Sequence, residues 1–202
     1  MLFRSDEMVA TGTSEQSILP YYAGETINDL PQRFVAFSTC LRREAGSYGQ
    51  DTRGIFRVHQ FDKLEMFSFS KPEESEKEHQ LIVDIEEKIM QGLRLPYQVV
   101  KLCTGDLGLP VAKTIDIETW MPGEGQYRET HSSSNCTDFQ ARRLNIRYKS
   151  DKGNEFVHTI NGTAVAIGRM LIAILENYQE KDGSVKIPEV LHKYLDFKEI
   201  KR

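Results

Sequence analysis

Residues 30–41 read LPQRFVAFSTCL, and their side chains alternate in twos, with Phe34, Ala36, Ser38 and Cys40 sharing one face. A period of two is that of a strand, whose successive side chains point to opposite faces of a sheet. Residues 44–54 (EAGSYGQDTRG) are polar and rich in glycine, the composition of a loop. Beyond it, residues 55–61 and then 64–69 (LEMFSF) turn apolar and β-prone again. Two strands joined by a long loop, with a third close behind, predict an antiparallel meander.

Working outward, a helix follows. Ser70 stands where it can cap it, Pro72 falls in its first turn, and Glu73, Glu74 and Glu76 complement the positive end of the helix dipole. Leu81, Ile82, Ile85 and Ile89 recur at helical spacing, and Gly92 is a natural stop. That pattern puts His79 on the solvated face. Residues 97–104, 112–120 and 126–130 read as strands between Gly-Pro-rich turns, and 144–148 with 156–160 as a hairpin around Lys152-Gly153-Asn154. Residues 163–178 (TAVAIGRMLIAILENY) are apolar nearly all round, which predicts a buried helix, and 188–195 a short terminal one. Strands clustered between helices, without strict βαβ alternation, predict one α+β domain over residues 1–202, built on a mostly antiparallel sheet.

The hydrophobic fraction of 39% over 202 residues suits an ordinary globular chain, and a net charge of −4 shows no basic coat for sequence-independent nucleic-acid binding. Cys40, Cys103 and Cys136 are odd in number and widely spaced, so they read as reduced thiols of a cytoplasmic protein. No stretch approaches the roughly 20 apolar residues of a membrane span, and the N-terminus lacks the regions of a signal peptide.

A few residues are hard to explain as structure alone. Arg169 sits among Val165, Ala166, Ile167, Met170, Leu171 and Ile172. A guanidinium there needs either an internal carboxylate or a bound anion such as a phosphate, which its fork of donors suits. The spacing leaves both open. Arg42 and Glu44 share a face at a strand end, where a salt bridge is the plain alternative. They gain interest from the aromatic-basic run Phe56-Arg57-Val58-His59-Gln60-Phe61, since arginines and rings on facing strands can hold a phosphate and stack a base. Asp62, Glu65, Asp116, Glu118 and Glu129 lie in or near strands and could supply oxygen ligands to Mg²⁺, or simply be solvated. The five histidines show no metal-ligand spacing, and neither a Walker loop nor G-x-G-x-x-G occurs. A nucleotide would have to be held on a sheet, through arginines.

Three stretches carry a resemblance. Residues 40–47 (CLRREAGS), 51–54 (DTRG) and 57–67 (RVHQFDKLEMF) together resemble motif 2 of class II aminoacyl-tRNA synthetases in its seryl-tRNA synthetase form. Residues 158–169 (HTINGTAVAIGR), followed by 175–179 (LENYQ), resemble motif 3 of that family, and 127–143 (YRETHSSSNCTDFQARR) a further family signature. The resemblance implies a ligase that activates L-serine with ATP and Mg²⁺ and transfers it to serine tRNA. It casts Arg42 as the bridge between the ATP α-phosphate and the serine carboxylate. Glu44 becomes the partner of the adenine amino group, Phe61 the ring under adenine, Arg57 a further ATP contact, and Arg169 the holder of the γ-phosphate. Glu129 and Ser132 would take the Mg²⁺ and phosphate side. Thr13-Ser14-Glu15 is similar to the family's amino-acid loop, with Ser14 in place of the usual alanine. Glu65 would bind the substrate, and Asn161 and Thr163 would stand near the serine hydroxyl.

Motif 1, which builds the family's homodimer, and the helical arm that grips tRNA would lie upstream of Thr13 and are not found, so the chain reads as an N-terminally truncated catalytic core. Two other readings stand beside it: a ligase that charges a carrier protein, and an inactive binding or regulatory fragment.

Overall fold

The computed structural model describes residues 2–3, 8–44, 51 and 54–201. Six strands form one sheet: β1 (Gln32–Leu41), β2 (Gln60–Ser70), β3 (Tyr97–Lys101), β4 (Lys113–Met121), β5 (Gln126–Asn135) and β6 (His158–Ala166). Their spatial order is β1-β2-β6-β5-β4-β3, and every neighbouring pair is antiparallel. Among the described residues three helices longer than one turn flank the sheet: α1 (Ser75–Gly92), α2 (Phe139–Leu144) and α3 (Ile167–Tyr178), beside a single turn at Glu15–Ile18. A smaller sheet joins Arg147–Ser150 to Gly153–Phe156 and, in parallel, to Thr26–Ile27. The architecture is α+β on an antiparallel sheet.

β1 alternates as its sequence dictates, with Cys40 buried and Arg33, Val35, Phe37 and Thr39 exposed on the opposite face. Of the two strand-like stretches after the loop, residues 55–59 form a turn instead, and only Gln60 and Phe61 run on into the second stretch as one strand, β2. Phe56 and Arg57 lie in that turn, where both meet charged partners: Arg57 pairs with Glu44, and Arg128 and Arg169 flank Phe56. Most of the loop over residues 44–54 lies outside the described residues.

Helix α1 starts later than its capping residues suggest. Ser70 donates to the Lys71 carbonyl, and a 3-10 turn at Pro72–Glu74 leads into the helix, whose N-cap Glu74 makes no side-chain cap bond. The buried stripe is Ser75, Glu78, His79, Ile82, Val83, Glu86 and Met90, so His79 is fully buried and not on the solvated face. Four of those seven residues are polar, and apolar periodicity could not reveal them. Gly162 of β6 marks the closest approach. A Cβ there would lie 2.3 Å from Ile82 Cγ2 and 2.8 Å from Glu86 Oε1, so only glycine lets helix and sheet meet.

The C-terminal elements also differ from expectation. Residues 163–166 complete β6, pairing through to Ala166↔Lys63, and the helix begins only at Ile167. The small and β-branched residues there satisfy a strand once a partner ladder exists. Phe156 closes the small hairpin while His158 opens β6, so the stretch 156–160 divides between two sheets. Helix α3 buries only Met170 and Ala173, and Ile167, Leu171 and Leu175 are 39–47% exposed. Its all-round apolar character therefore does not mark full burial. Its end is pinned instead by polar bonds: Gly123 N–H to Glu176 Oε2 (2.8 Å), Asn177 Nδ2 to the Trp120 carbonyl (2.9 Å) and Tyr178 Oη to the Leu93 carbonyl (2.7 Å). The terminal helix shrinks to a 3-10 turn at Glu189–Leu191. Among the described residues, no helix is long and apolar enough to cross a membrane.

Candidate active site

A cavity of about 330 Å³ opens on one face of the sheet, and segments far apart in sequence meet in it. Thr13 and Glu15 enter from the N-terminal loop, Arg42 and Glu44 from the end of β1, Arg57 from the turn, and Phe61 and Glu65 from β2. Glu129 and Ser132 come from β5, Asn161 and Thr163 from β6, and Arg169 from the first turn of α3. Ser14 does not line it; its side chain is buried and donates to the Ala36 carbonyl at 3.2 Å, tying the loop to β1. The volume falls at the lower end of the range for small-molecule sites.

Two β-bulges aim these residues. Side chains three apart in a regular strand point to opposite faces. In β5 the register slips between Ile117 and Glu118 of its partner, leaving Thr130 as the extra residue, so Glu129 and Ser132 both reach the cavity. Thr130 is held there by a bond to Thr119 Oγ1 (2.7 Å). In β6 a second slip between Thr163 and Val165 brings Thr163 and Ala166 to the same side.

The charges are mostly paired. Arg57 donates to Glu44 Oε2 at 2.6 Å and lies 3.6 Å from Asp51; the Glu44 contact is the main reason its guanidinium is held above its ordinary value. Arg42 donates from Nε to the Gly12 carbonyl (3.0 Å) and stands 5.1 Å from the Phe61 ring centre. Lys63 pairs with Glu65, which is 2% exposed; burial pushes the Glu65 carboxyl up, and the neighbouring ammonium opposes the rise. Arg169 answers the question its surroundings pose in sequence. It reaches the Glu129 carbonyl at 2.9 Å and Glu129 Oε1 at 3.0 Å, and it still lines the cavity, 22% exposed.

Two residues here escaped the sequence reading as site groups. Phe56 lines the cavity and is flanked by two guanidinium groups, Arg128 at 4.0 Å and Arg169 at 4.6 Å. The aromatic-basic run around it was the available signal, but nothing singled it out from Phe61. Lys63 also faces the cavity. Asp116, one of the strand carboxylates named from the sequence as a possible Mg²⁺ ligand, sits beside Ser132 on the next strand, its carboxyl raised to about 6 chiefly by burial.

For a divalent cation, Glu129 and Ser132 offer hard oxygen donors on one wall, with Asp116 Oδ1 buried and unpartnered next to them. Among the described residues, no cluster of three His, Cys, Asp or Glu side chains forms a metal cage. That donor set suits Mg²⁺, which takes one or two protein ligands and fills its shell with water and phosphate oxygens. The three cysteines are free thiols.

Comparison with known proteins points the same way. Residues 4–178 match the family described as tRNA synthetase class II core domain (G, H, P, S and T). The serine–tRNA ligase of Dictyoglomus thermophilum is 54% identical over 192 residues, covering 94% of this chain and 45% of that protein. That of Pyrococcus furiosus is 52% identical over 199 residues, 96% of this chain and 44% of the relative. The chain thus spans less than half the length of the curated relatives it matches. A crystal structure of seryl-tRNA synthetase from Pyrococcus horikoshii complexed with ATP superposes with a TM-score of 0.96 at 50% identity, over 100% of this chain and 46% of that one. The cytoplasmic serine-tRNA ligase of Naegleria fowleri in complex with AMP gives 0.90 at 41%, over 95% and 46%. With its antiparallel six-stranded sheet and the arginine-lined cavity laid across it, this chain belongs to the class II tRNA synthetase core family.

Proposed function

We propose that this chain carries the serine-activating site of a serine–tRNA ligase. The observation that supports this best is the cavity itself: twelve residues named from the sequence for ATP, Mg²⁺ and serine line one space. In this reading Arg42, Arg57 and Arg169 receive the triphosphate and Phe61 offers a ring face to adenine. Glu15 and Glu65 attract the serine ammonium group, and Asn161 and Thr163 meet its hydroxyl. A site that pairs a hydroxyl rejects alanine strongly, because the analogue leaves buried polar groups unsatisfied.

The reaction is attack by a serine carboxylate oxygen on the α-phosphorus. The bond to the bridging oxygen of pyrophosphate breaks and seryl-adenylate forms; the terminal ribose hydroxyl of serine tRNA then attacks the seryl carbonyl, losing its proton, and the carbonyl–phosphate bond breaks to release AMP. No side chain need act as nucleophile. Arg42 neutralises charge on the α-phosphate as the new bond forms, and the fixed ion pairs keep the donors in place beforehand, which is how positioning and electrostatics lower such barriers. Mg²⁺, held by Glu129 and Ser132, would supply further charge neutralisation on the phosphates.

The test is serine-dependent exchange of pyrophosphate into ATP by the full-length protein. Exchange should appear with serine and be far weaker with alanine. Arg42→Ala should lower the rate roughly 10²–10³-fold. A variant near the wild-type rate would remove Arg42 from this role.

A further inference from the structure

We infer that Gln140 is a positioning residue for the amino-acid end of the site: it clamps Glu15 so that one carboxylate oxygen stays aimed at the substrate ammonium group. The inference rests on the proposed serine-binding role of Glu15. Gln140 itself is outside the cavity lining. It sits in the first turn of α2, 125 residues away from Glu15 in sequence, and donates from Nε2 to Glu15 Oε1 at 2.6 Å. Asn161 Nδ2 reaches the same oxygen at 3.3 Å. Among the described residues nothing hydrogen-bonds to Glu15 Oε2, which leaves it to a donor in the cavity.

The orientation of the Gln140 amide follows from chemistry. A carboxylate only accepts, so the amide must turn its NH₂ toward Glu15. Its carbonyl then faces Thr159, whose hydroxyl donates to Gln140 Oε1 at 2.6 Å. Thr159 is fully buried, and both its backbone groups are used: its carbonyl accepts from Cys136 N and its N–H donates to the Thr137 carbonyl, each at 2.9 Å. Thr137 occupies a left-handed conformation, φ 47°, rarely adopted by a β-branched residue, with its N–H bonded to Asn135 Oδ1 at 2.9 Å. The turn between β5 and α2 is therefore built to hold Gln140 in one place.

A neutral clamp fits this position for an electrostatic reason. Glu15 and Glu65 lie close enough for their charges to interact, and an ammonium group between them needs both. A lysine or arginine at position 140 would fix Glu15 equally well but would compete with the substrate for its charge. An amide orients the carboxylate and leaves its charge free.

Steady-state exchange kinetics of Gln140→Met, Gln140→Glu and Thr159→Val in the full-length protein test this, with ATP binding measured directly on each. Gln140→Met keeps the volume and removes the donor. It should raise the KM for serine roughly 10- to 100-fold while the ATP affinity and kcat stay within about threefold. Thr159→Val should show the same split, smaller. Gln140→Glu sets two carboxylates together that share a proton, so its serine KM should fall as pH is lowered from 8 to 6. An unchanged serine KM in all three, or equal losses for serine and ATP, would overturn the clamp while leaving the serine-activation reading intact. No serine-dependent exchange by the wild-type protein would overturn both.

Discussion

The two faces of the sheet around Gly162 treat charge in opposite ways. On the cavity face acids and bases are paired: Arg57 with Glu44 and Arg169 with Glu129, both partly open to water, and the buried Lys63 with Glu65. On the α1 face Glu86, His79 and His131 are fully buried. Neither Glu86 oxygen has a hydrogen-bond partner; the nearby Ser133 hydroxyl favours the charged form, but it is committed to the Ile115 carbonyl at 3.0 Å. Burial pushes the Glu86 carboxyl up to about 9, helped by the negative charges of Glu65 and Asp116, and pushes His131 down to about 4. Arg57 and Arg169 on one face stay charged beside carboxylates, whereas Glu86 and His131 on the other are held neutral by burial.

Breaking the contact between the faces should have the largest effect. Gly162→Ala forces a methyl into Ile82 and Glu86, and it should lower unfolding stability by about 3 kcal/mol in a denaturant titration. A loss below about 0.5 kcal/mol would mean that α1 can slide off the sheet at small cost.

Glu86→Gln sharpens the comparison through pH. In the unfolded chain Glu86 loses its proton near its ordinary value of 4.5, while in the fold it keeps it to about 9. The folded state binds the extra proton between those values, so its stability falls as pH rises through that window. Removing the carboxyl should stabilise the protein by roughly 1–3 kcal/mol at pH 8 and by almost nothing at pH 4.5. Thermal unfolding at the two pH values reads the difference. An equal change at both would show that Glu86 is not held neutral.

The smallest effect should come from the rim, where the two regimes meet. Arg33, on β1, grips buried Glu78 of α1 with both bonds at 2.7–2.8 Å, and Ser68 adds a third at 2.9 Å. These hold the Glu78 carboxyl below its ordinary value, the Arg33 bond most of all. Arg33→Ala should cost on the order of 1 kcal/mol at pH 7. Because the folded value is depressed, that contribution is present above about pH 4.5 and is lost as pH falls below it. An Arg33→Ala loss that persists undiminished at pH 3 would assign the effect to packing.

Much of this was legible in the amino-acid chain. The alternation of residues 30–41 declared β1, and the motif residues named twelve groups that do meet in one cavity, because strand alternation and short polar signatures are local properties. Arg169 announced that it needed a partner, since an isolated guanidinium among aliphatic residues is untenable. Which partner it took was another matter. Glu129 reaches it only because the slip at Thr130 turns that strand, and a single extra residue in a ladder leaves no mark on composition. His79 went inside, and residues 163–166 became strand, because a neighbouring layer or ladder claimed them. Gln140 met Glu15 across 125 positions by the same kind of non-local closure. Sequence by itself determined the kinds of element and the inventory of reactive groups, which rest on near neighbours. Only the tertiary structure decided which groups are dry and which are wet, because burial depends on what the other layers bring.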